Sequence, residues 1–202
     1  MLTQIIPLFV IAILIIQWAY ELLLYLAFHK KEKIDKINNT EPISIISCAK
    51  NEAQNIAALL EALQAQNYST ADHALNFEVL VIDDGSTDAT WSILENATLH
   101  LPQLRIFKSE AFESTFKGKK KALEIGVTQA KHDAILCIDA DCIPTSKHWV
   151  SIMANALQNK ELITGFGAYQ KEKNWINTLV QWETMHTFFW YQLLSKIGVY
   201  YM

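Results

Sequence analysis

The sequence predicts an α/β fold, with a doubly wound, mostly parallel sheet preceded by one N-terminal transmembrane helix. Three observations lead to this prediction. Short apolar runs of strand length alternate with segments in which apolar residues recur at helical spacing. Polar clusters follow three of these runs, as expected where ligands bind beyond the carboxyl ends of parallel strands. An uncharged apolar run, residues 2–20, opens the chain.

Composition narrows the class of protein. The chain has 202 residues, a net charge of −4, 51% hydrophobic and 19% charged residues, which excludes disordered and collagen-like chains. Arg105 is the only arginine, and a shortage of the side chain that reads phosphates and guanine edges argues against a nucleic-acid partner. The three cysteines form no C-x-x-C pair, which argues against a disulfide scaffold or a zinc ribbon and fits a reducing compartment.

The first predicted element is a membrane anchor over residues 1–28. Residues 2–20 carry no charge, and the apolar run resumes after Glu21 and reaches Phe28. As a helix this run is about 40 Å long, enough to cross a bilayer with tilt. Two alternatives stay open: a cleaved signal peptide, although no basic segment precedes the run, and a buried core helix, although the run is long for one.

A basic, polar linker is predicted over residues 29–41. No basic side chain precedes the apolar run, whereas five follow it closely: His29, Lys30, Lys31, Lys33 and Lys36. The positive-inside rule then places the rest of the chain on the cytoplasmic side of the cytoplasmic membrane.

The soluble part alternates predicted strands and helices. Strands are predicted over residues 43–48, 77–82, 104–107, 134–138 and 162–169. Helices are predicted over residues 51–66, 88–99, 117–130 and 146–157. Strand–helix–strand units of this length require a mostly parallel sheet with helices on both faces. Aromatic residues crowd the segment 171–202, which suits a membrane interface, an acceptor groove or a helix packed on the rest of the domain.

Asp139 and Asp141 form a D-x-D pair directly after a predicted strand. Two carboxylates with little cationic compensation nearby in sequence favour a divalent cation, and hard oxygen ligands favour Mg²⁺ or Mn²⁺. Such an ion would neutralise a diphosphate. D-x-D alone is common, and the alternative is a solvated loop that caps the next helix. We assign the neighbouring Cys142 to packing, because hard cations avoid thiolates.

The segment Asp-Asp-Gly-Ser-Thr-Asp at 83–88 follows the predicted strand 77–82, as the D-x-D pair follows the predicted strand 134–138. Its glycine permits a tight turn, and Ser86 or Asp88 can cap the next helix. The Asp84 carboxylate suits the N3–H of a uracil or a ribose hydroxyl, and the alternative is a purely structural turn.

Four lysines surround Gly118 at a predicted helix start: Lys117, Lys119, Lys120 and Lys121. Cations oppose the helix dipole there, so a phosphate partner would explain them. A solvated charged face is the alternative.

Four motifs thus occur in order over about a hundred residues, which is more specific than any one of them. They are Ser-Cys-Ala-Lys-Asn-Glu-Ala at 47–53, Val-Leu-Val-Ile-Asp-Asp-Gly-Ser-Thr-Asp-Ala-Thr at 79–90, Lys-Gly-Lys-Lys-Lys-Ala-Leu at 117–123 and Ile-Asp-Ala-Asp-Cys at 138–142. Together they resemble glycosyltransferase family 2 and its GT-A fold, with a Rossmann-like nucleotide-binding half. The resemblance covers residues 42 to about 169.

The resemblance implies inverting transfer of a sugar from a nucleotide-sugar donor, usually UDP-linked, to a polysaccharide, glycolipid or other acceptor. Carried over residue by residue, Glu52 and Asp84 would hold the nucleoside and Lys119 the phosphates. Asp139 would hold the donor sugar or ribose, and Asp141, with Asp139 beside it, would hold Mg²⁺ or Mn²⁺. The expected partners are the donor, the lipid bilayer and a glycan or lipid acceptor.

The resemblance also divides the chain. Residues 42–170 would form the nucleotide-sugar-binding domain, and residues 171–202 would begin the acceptor-side region. Neither an acidic general base nor a Q-x-x-R-W motif is visible before Met202, so we expect the base beyond Met202 and the chain to be a fragment. Two alternatives stay open, a non-catalytic nucleotide-sugar-binding or scaffolding module and a nucleotidyltransferase.

Overall fold

The computed structural model describes residues 2–29, 41–69, 75–157 and 161–196, so most of the predicted linker, with its lysines, lies outside the described residues. The described chain divides into an α/β unit within Ile34–Gly165 and a helical unit made of the first and last helices. The elements are, in chain order, α1 Leu2–His29, β1 Ile43–Ala49, α2 Ile56–Gln64, β2 Phe77–Asp83, α3 Thr90–Thr98, β3 Leu104–Lys108, a 3-10 turn Ser109–Ala111, α4 Lys119–Gln129, β4 Ala134–Cys137, α5 Trp149–Leu157 and α6 Trp175–Lys196.

The sheet confirms the predicted parallel architecture. Its order is β3-β2-β1-β4, and β1 pairs in parallel with both β2 and β4. From β1 to β3 the chain moves in one direction across the sheet, and α4 then carries it back to the other side of β1. Ligands of such sheets bind at this change of direction, beyond the carboxyl ends of the strands.

Both faces of the sheet are covered, which explains why the strands are nearly continuous apolar runs. On one face Ile45 and Val79 pack with buried residues of α2, α3 and α5. On the other face Ile46 and Leu80 pack against α4. At Gly126 of α4 an added Cβ would lie 2.5 Å from Ile46 Cγ2, so glycine is what allows α4 to approach the sheet this closely.

A buried charge lies at the amino-terminal edge of the sheet. Glu78 on β2 is 5% exposed and accepts hydrogen bonds from Arg105 Nη1 at 2.9 Å, the Lys131 N–H at 2.6 Å and Ser44 Oγ at 2.8 Å. Burial alone would raise the pKa of Glu78, but these hydrogen bonds outweigh it and hold the pKa below its ordinary value. The carboxylate therefore stays ionised inside the fold.

The helices begin later than predicted. α2 begins at Ile56 rather than residue 51, because Asn51 has a left-handed φ of 58° that no helix contains. α4 begins at Lys119 because Gly118 before it has a φ of 61°. The periodicity of the sequence extends across both residues, although neither has a helical φ.

The strand predicted over residues 162–169 is wrong. These residues form no strand, and none of the four described strands pairs with them. Leu162, Phe166 and Tyr169 are 66%, 46% and 58% exposed. An apolar pattern predicts a strand only where a neighbouring backbone can accept and donate hydrogen bonds.

In the helical unit, the predicted N-terminal apolar helix is present as α1. Its segment Ile5–Leu23 is long and apolar enough to cross a membrane by length and composition. The aromatic tail forms α6, which contacts α1 through ring stacking of Tyr20 on Trp190 at 5.2 Å.

Candidate functional site

The loops after β1, β2 and β4 meet at the carboxyl edge of the sheet. Ala49 at the end of β1 pairs with Asp83 at the end of β2, and the Asp84 N–H donates to the Ala49 carbonyl at 2.8 Å. On the other side of β1, the Ile138 N–H donates to the Ile46 carbonyl at 3.0 Å. The three loops that carry the predicted acidic site residues therefore leave the sheet side by side.

The two aspartates at the end of β2 have different environments. Asp83 is 3% exposed and accepts hydrogen bonds from the backbone and hydroxyl of Ser86, which closes the turn. Gly85 permits this turn with a φ of 74°. Asp83 therefore has a structural role in the turn.

The Asp84 carboxylate contacts two separate parts of the chain and lies next to a third. Ser109 Oγ donates to its Oδ1 at 3.0 Å, and Lys50 Nζ lies 3.9 Å from its Oδ2. A Cβ on Gly118 would lie 3.9 Å from the same Oδ2, so the start of α4 is adjacent. With its side chain 15% exposed, Asp84 is oriented and still accessible at the edge of the site.

Lys119 supplies the cation that the sequence around the D-x-D pair lacks. Its Nζ lies 2.5 Å from Asp139 Oδ1, and both side chains are more than half exposed. The hydrogen bond to Asp139 raises the pKa of Lys119, against partial burial that lowers it. The amine comes from α4, 20 residues earlier in the chain, so the sequence next to the D-x-D pair does not indicate it.

The thiol of Cys48 belongs to the same region but is not reactive. Burial raises its pKa to about 11, the charge of Lys119 lowers it by less, and Cys137, Asp139 and Asp84 raise it further. A thiol that stays protonated at neutral pH is a poor nucleophile. The ionised groups of this site are thus its amines and carboxylates.

Glu52 is fixed by its neighbours in two loops. Its N–H donates to Thr90 Oγ1 at 2.8 Å, and its Oε2 accepts a hydrogen bond from Asn55 Nδ2 at 2.7 Å. The next N–H, of Ala53, donates to Asp88 Oδ2 at 3.1 Å. Asp88 also accepts a hydrogen bond from the Thr90 N–H at the start of α3. Its side chain therefore links the β1–α2 loop to the start of α3.

Asn51 also joins the β1–α2 loop to the β2–α3 loop. Its N–H donates to Ser86 Oγ at 2.9 Å, and its Oδ1 accepts hydrogen bonds from the Thr87 N–H at 2.8 Å and Thr87 Oγ1 at 3.3 Å. The loop that carries Glu52 and the loop that begins with Asp84 therefore form one connected structure.

The D-x-D pair is exposed beside Cys142. Oxygens of Asp139 and Asp141 and the Cys142 sulfur all lie within 4.8 Å of one another. Burial and the neighbouring Asp141 and Asp139 raise the pKa of Cys142, so it stays a thiol. The two carboxylates fit a hard divalent cation such as Mg²⁺ or Mn²⁺. The packing role assigned to Cys142 is wrong, because the residue is exposed.

A family model described as glycosyl transferase family 2 matches residues 44–200. The chain belongs to this family. Its predicted GT-A-type fold is confirmed by a mannosyltransferase from Pyrobaculum calidifontis, solved in complex with GDP-Man and Mn²⁺. The structural match has 24% identity and a TM-score of 0.57, and it covers 69% of this chain and 39% of that one.

Curated relatives carry related names. This family 2 chain is 31% identical over 102 residues to glycosyltransferase AglE of Haloferax volcanii, a match that covers 50% of this chain and 31% of the relative. It is 29% identical over 121 residues to poly-β-1,6-N-acetyl-D-glucosamine synthase of Staphylococcus aureus, with 58% and 26% covered. The chain therefore spans less than a third of the length of these relatives.

The structure adds residues to this site that the sequence did not indicate. Ser109, which holds Asp84, follows the short strand β3 and has no motif around it. Asn51 and Thr90 lie inside motifs, but their contacts join loops that are 35 or more residues apart. Only the parallel pairing of β1 and β2 brings these loops together.

Proposed function

We propose that this family 2 glycosyltransferase transfers a sugar with inversion from a UDP-linked donor to a glycan or lipid acceptor in cell-envelope polysaccharide synthesis. The observation that carries the proposal is the convergence of Glu52, Asp84 and Asp139, on adjoining loops, and Lys119, at the start of α4, at one carboxyl edge of the sheet. This is the edge at which doubly wound sheets bind nucleotides. The name of the S. aureus relative supports a polysaccharide product.

Glu52 and Asp84 would bind the nucleoside. Ser109 and Lys50 orient the Asp84 carboxylate, which can accept the N3–H of a uracil. Asn55 orients the Glu52 carboxylate, which suits a ribose hydroxyl. Such preorganised acceptors bind without first losing rotamer freedom.

Lys119 would contact the donor phosphates, and Asp139 the donor sugar or ribose. Lys119 is the first residue of α4, where helix N–H groups also favour an anion. Asp141, with Asp139, would hold Mg²⁺ or Mn²⁺, which supplies positive charge for the departing diphosphate. An amine and carboxylates at one edge suit a ligand that carries both hydroxyls and phosphates.

The transfer itself is a single displacement. The acceptor oxygen forms a bond to the anomeric carbon as the bond to the diphosphate breaks on the opposite side, and the hydroxyl proton passes to a base. No residue of the described chain is assigned as that base.

α1 would anchor the enzyme in the cytoplasmic membrane, with the α/β unit in the cytoplasm. Its apolar segment Ile5–Leu23 and the lysines that follow α1 in the sequence support this orientation. Protease protection in sealed vesicles tests it, and a protected α/β unit on the far side of the membrane would contradict it.

Donor binding is tested by calorimetry of UDP with the full chain in detergent, with Mn²⁺ or with EDTA. We expect binding with Mn²⁺ and much weaker binding in EDTA, because the diphosphate would meet Asp139 and Asp141 without the ion. Asp141→Asn removes one of the two carboxylate charges that would hold the ion and is expected to weaken the Mn²⁺-dependent affinity by at least the ~10–100-fold typical of outer-shell partners. Glu95→Gln, an exposed carboxylate on α3, is the matched control.

The outcomes separate the parts of the proposal. Equal affinity in Mn²⁺ and EDTA would contradict the metal site but leave the nucleotide site intact. No UDP binding by a folded chain in Mn²⁺ would contradict the nucleotide site itself.

A further inference from the structure

One face of α6 is covered by its own chain. The ring of Phe188 lies 4.9 Å from that of Phe166, and the Gln170 carbonyl accepts hydrogen bonds from Asn177 Nδ2 at 3.0 Å and Gln181 Nε2 at 3.4 Å. Residues 166–170 therefore cover part of this face.

The opposite face carries an aromatic stripe. Trp175, Leu179, Trp182, His186 and Trp190 recur at spacings of three and four residues, which places them on one side of the helix. Trp175, Leu179 and Trp182 are 76%, 53% and 53% exposed. Such large apolar side chains in a row indicate a binding surface.

The C-terminal part of the stripe contacts α1. Trp190 stacks on Tyr20, and His186 Nε2 lies 3.9 Å from Glu21 Oε1. Tyr20 and Glu21 lie near the end of the apolar segment Ile5–Leu23, where a spanning helix would leave the hydrocarbon core. The stripe is therefore continuous with the point at which α1 would meet the lipid headgroups.

We infer that α6 lies in the headgroup region of the bilayer that α1 enters, with the side chains of Trp175, Leu179 and Trp182 toward the acyl chains. The inference depends on the proposed anchoring of α1. Among the described helices only α1 is apolar enough to cross a membrane, so α6, with its polar Asn177, Gln181 and other residues, contacts the bilayer from the surface. Tryptophan prefers this interface, because its ring is apolar and its N–H needs a polar partner. A lipid-linked acceptor would thus be met at the membrane surface.

The test is quenching of tryptophan fluorescence in the full chain by brominated phosphatidylcholine vesicles. A background variant replaces Trp18, Trp175, Trp182 and Trp190 by phenylalanine. Separate variants restore Trp18, Trp175 or Trp182, so the added quenching belongs to one side chain. Vesicles carry bromine near either the headgroup or the methyl end of the acyl chain. Thr184→Trp in the same background is the control on the opposite, half-buried face, and far-UV circular dichroism verifies folding.

We expect Trp175 and Trp182 to be quenched more by shallow than by deep bromine, and more than the tryptophan at position 184. Quenching of Trp18 without quenching of Trp175 and Trp182 would overturn the inference and leave the anchor intact, and would indicate that the stripe binds a protein partner. Stronger quenching of Trp175 and Trp182 by deep bromine would overturn the interfacial position. No quenching of Trp18 would overturn the anchor, and the inference with it.

Discussion

The left-handed backbone of Asn51 allows a test of how the two nucleoside-side loops are held together. Among the described residues, Asn51 is the one non-glycine residue with positive φ, and its Oδ1 accepts both hydrogen bonds from Thr87. Asn51→Gly keeps the backbone conformation and removes the acceptor. Asn51→Ala also removes the acceptor but keeps a Cβ, and without a short polar side chain to hydrogen-bond locally alanine tolerates this conformation less well than asparagine.

The structure gives the size of each effect. At this exposed site the lost hydrogen bonds cost about 0.5–1.5 kcal/mol in the free energy of unfolding, and the greater freedom of glycine in the unfolded chain adds up to ~1 kcal/mol. Alanine loses the same bonds and adds about 1–2 kcal/mol for the left-handed conformation. We therefore expect the alanine variant to be the less stable, by several tenths to ~1 kcal/mol.

Thermal unfolding of the full chain in detergent measures this order, since ~1 kcal/mol corresponds to about 2–4 °C for a chain of this size. UDP affinity of the folded variants is expected to fall as well, because Glu52 follows Asn51 directly. Asn51→Asp, which keeps the acceptor, is expected to retain most of the thermal stability and most of the UDP affinity. Asn96→Ala, on the exposed side of α3, is the matched control. An alanine variant that melts at or above the glycine variant would refute the reasoning from φ.

Three further perturbations test other parts of the fold and site. Gly126→Ala is expected to lower the free energy of unfolding by about 1–3 kcal/mol, because the new Cβ meets Ile46 at 2.5 Å, and an unchanged melting temperature would contradict this packing. Glu78→Gln is expected to cost about 1–3 kcal/mol at neutral pH. Because the folded-state pKa of Glu78 is lowered, its stabilisation is lost as pH falls through that pKa, so the variant's melting temperature is expected to depend less on pH in acid. Asp84→Asn is expected to weaken UDP binding by about 1–2 kcal/mol and Asp84→Ala by more, and reduced stability with unchanged affinity would make Asp84 structural.

The strands and the acidic loops could be predicted from the sequence, because each is encoded by residues that are adjacent in the chain. β1 was predicted over residues 43–48 and extends over Ile43–Ala49, since burial on both faces requires a continuous apolar run. The rule that ligands bind at carboxyl ends then selected Asp84, Asp139 and Asp141 as site candidates. The order of the four motifs also predicted membership of glycosyltransferase family 2, which the family match confirms.

What could not be predicted depends on contacts between distant segments. No local pattern indicates that Lys119 pairs with Asp139 or that Ser109 holds Asp84. The late start of α2 also involves distant contacts, because the N–H groups of residues 51–53 donate to side chains of residues 86–90 where the backbone of Asn51 is left-handed and not helical. The segment 162–169 shows the converse, a strand-like composition without a partner strand.

The short strand β4 divides the site into two parts that depend on different strand pairings. β4 has four residues and pairs only with β1 in the described sheet, with Ala134 opposite Ile43 from the far end of the α/β unit. Of the pairings in the described sheet this one closes the longest loop and so costs the most entropy, and a short strand with few buried contacts opens more readily than the longer strands. During synthesis, the loops that carry Glu52 and Asp84 can pair before Asp139 has left the ribosome. Local opening of β4 would break the Lys119–Asp139 contact and leave those loops intact, so a donor that touches both parts would also hold β4 on the described sheet.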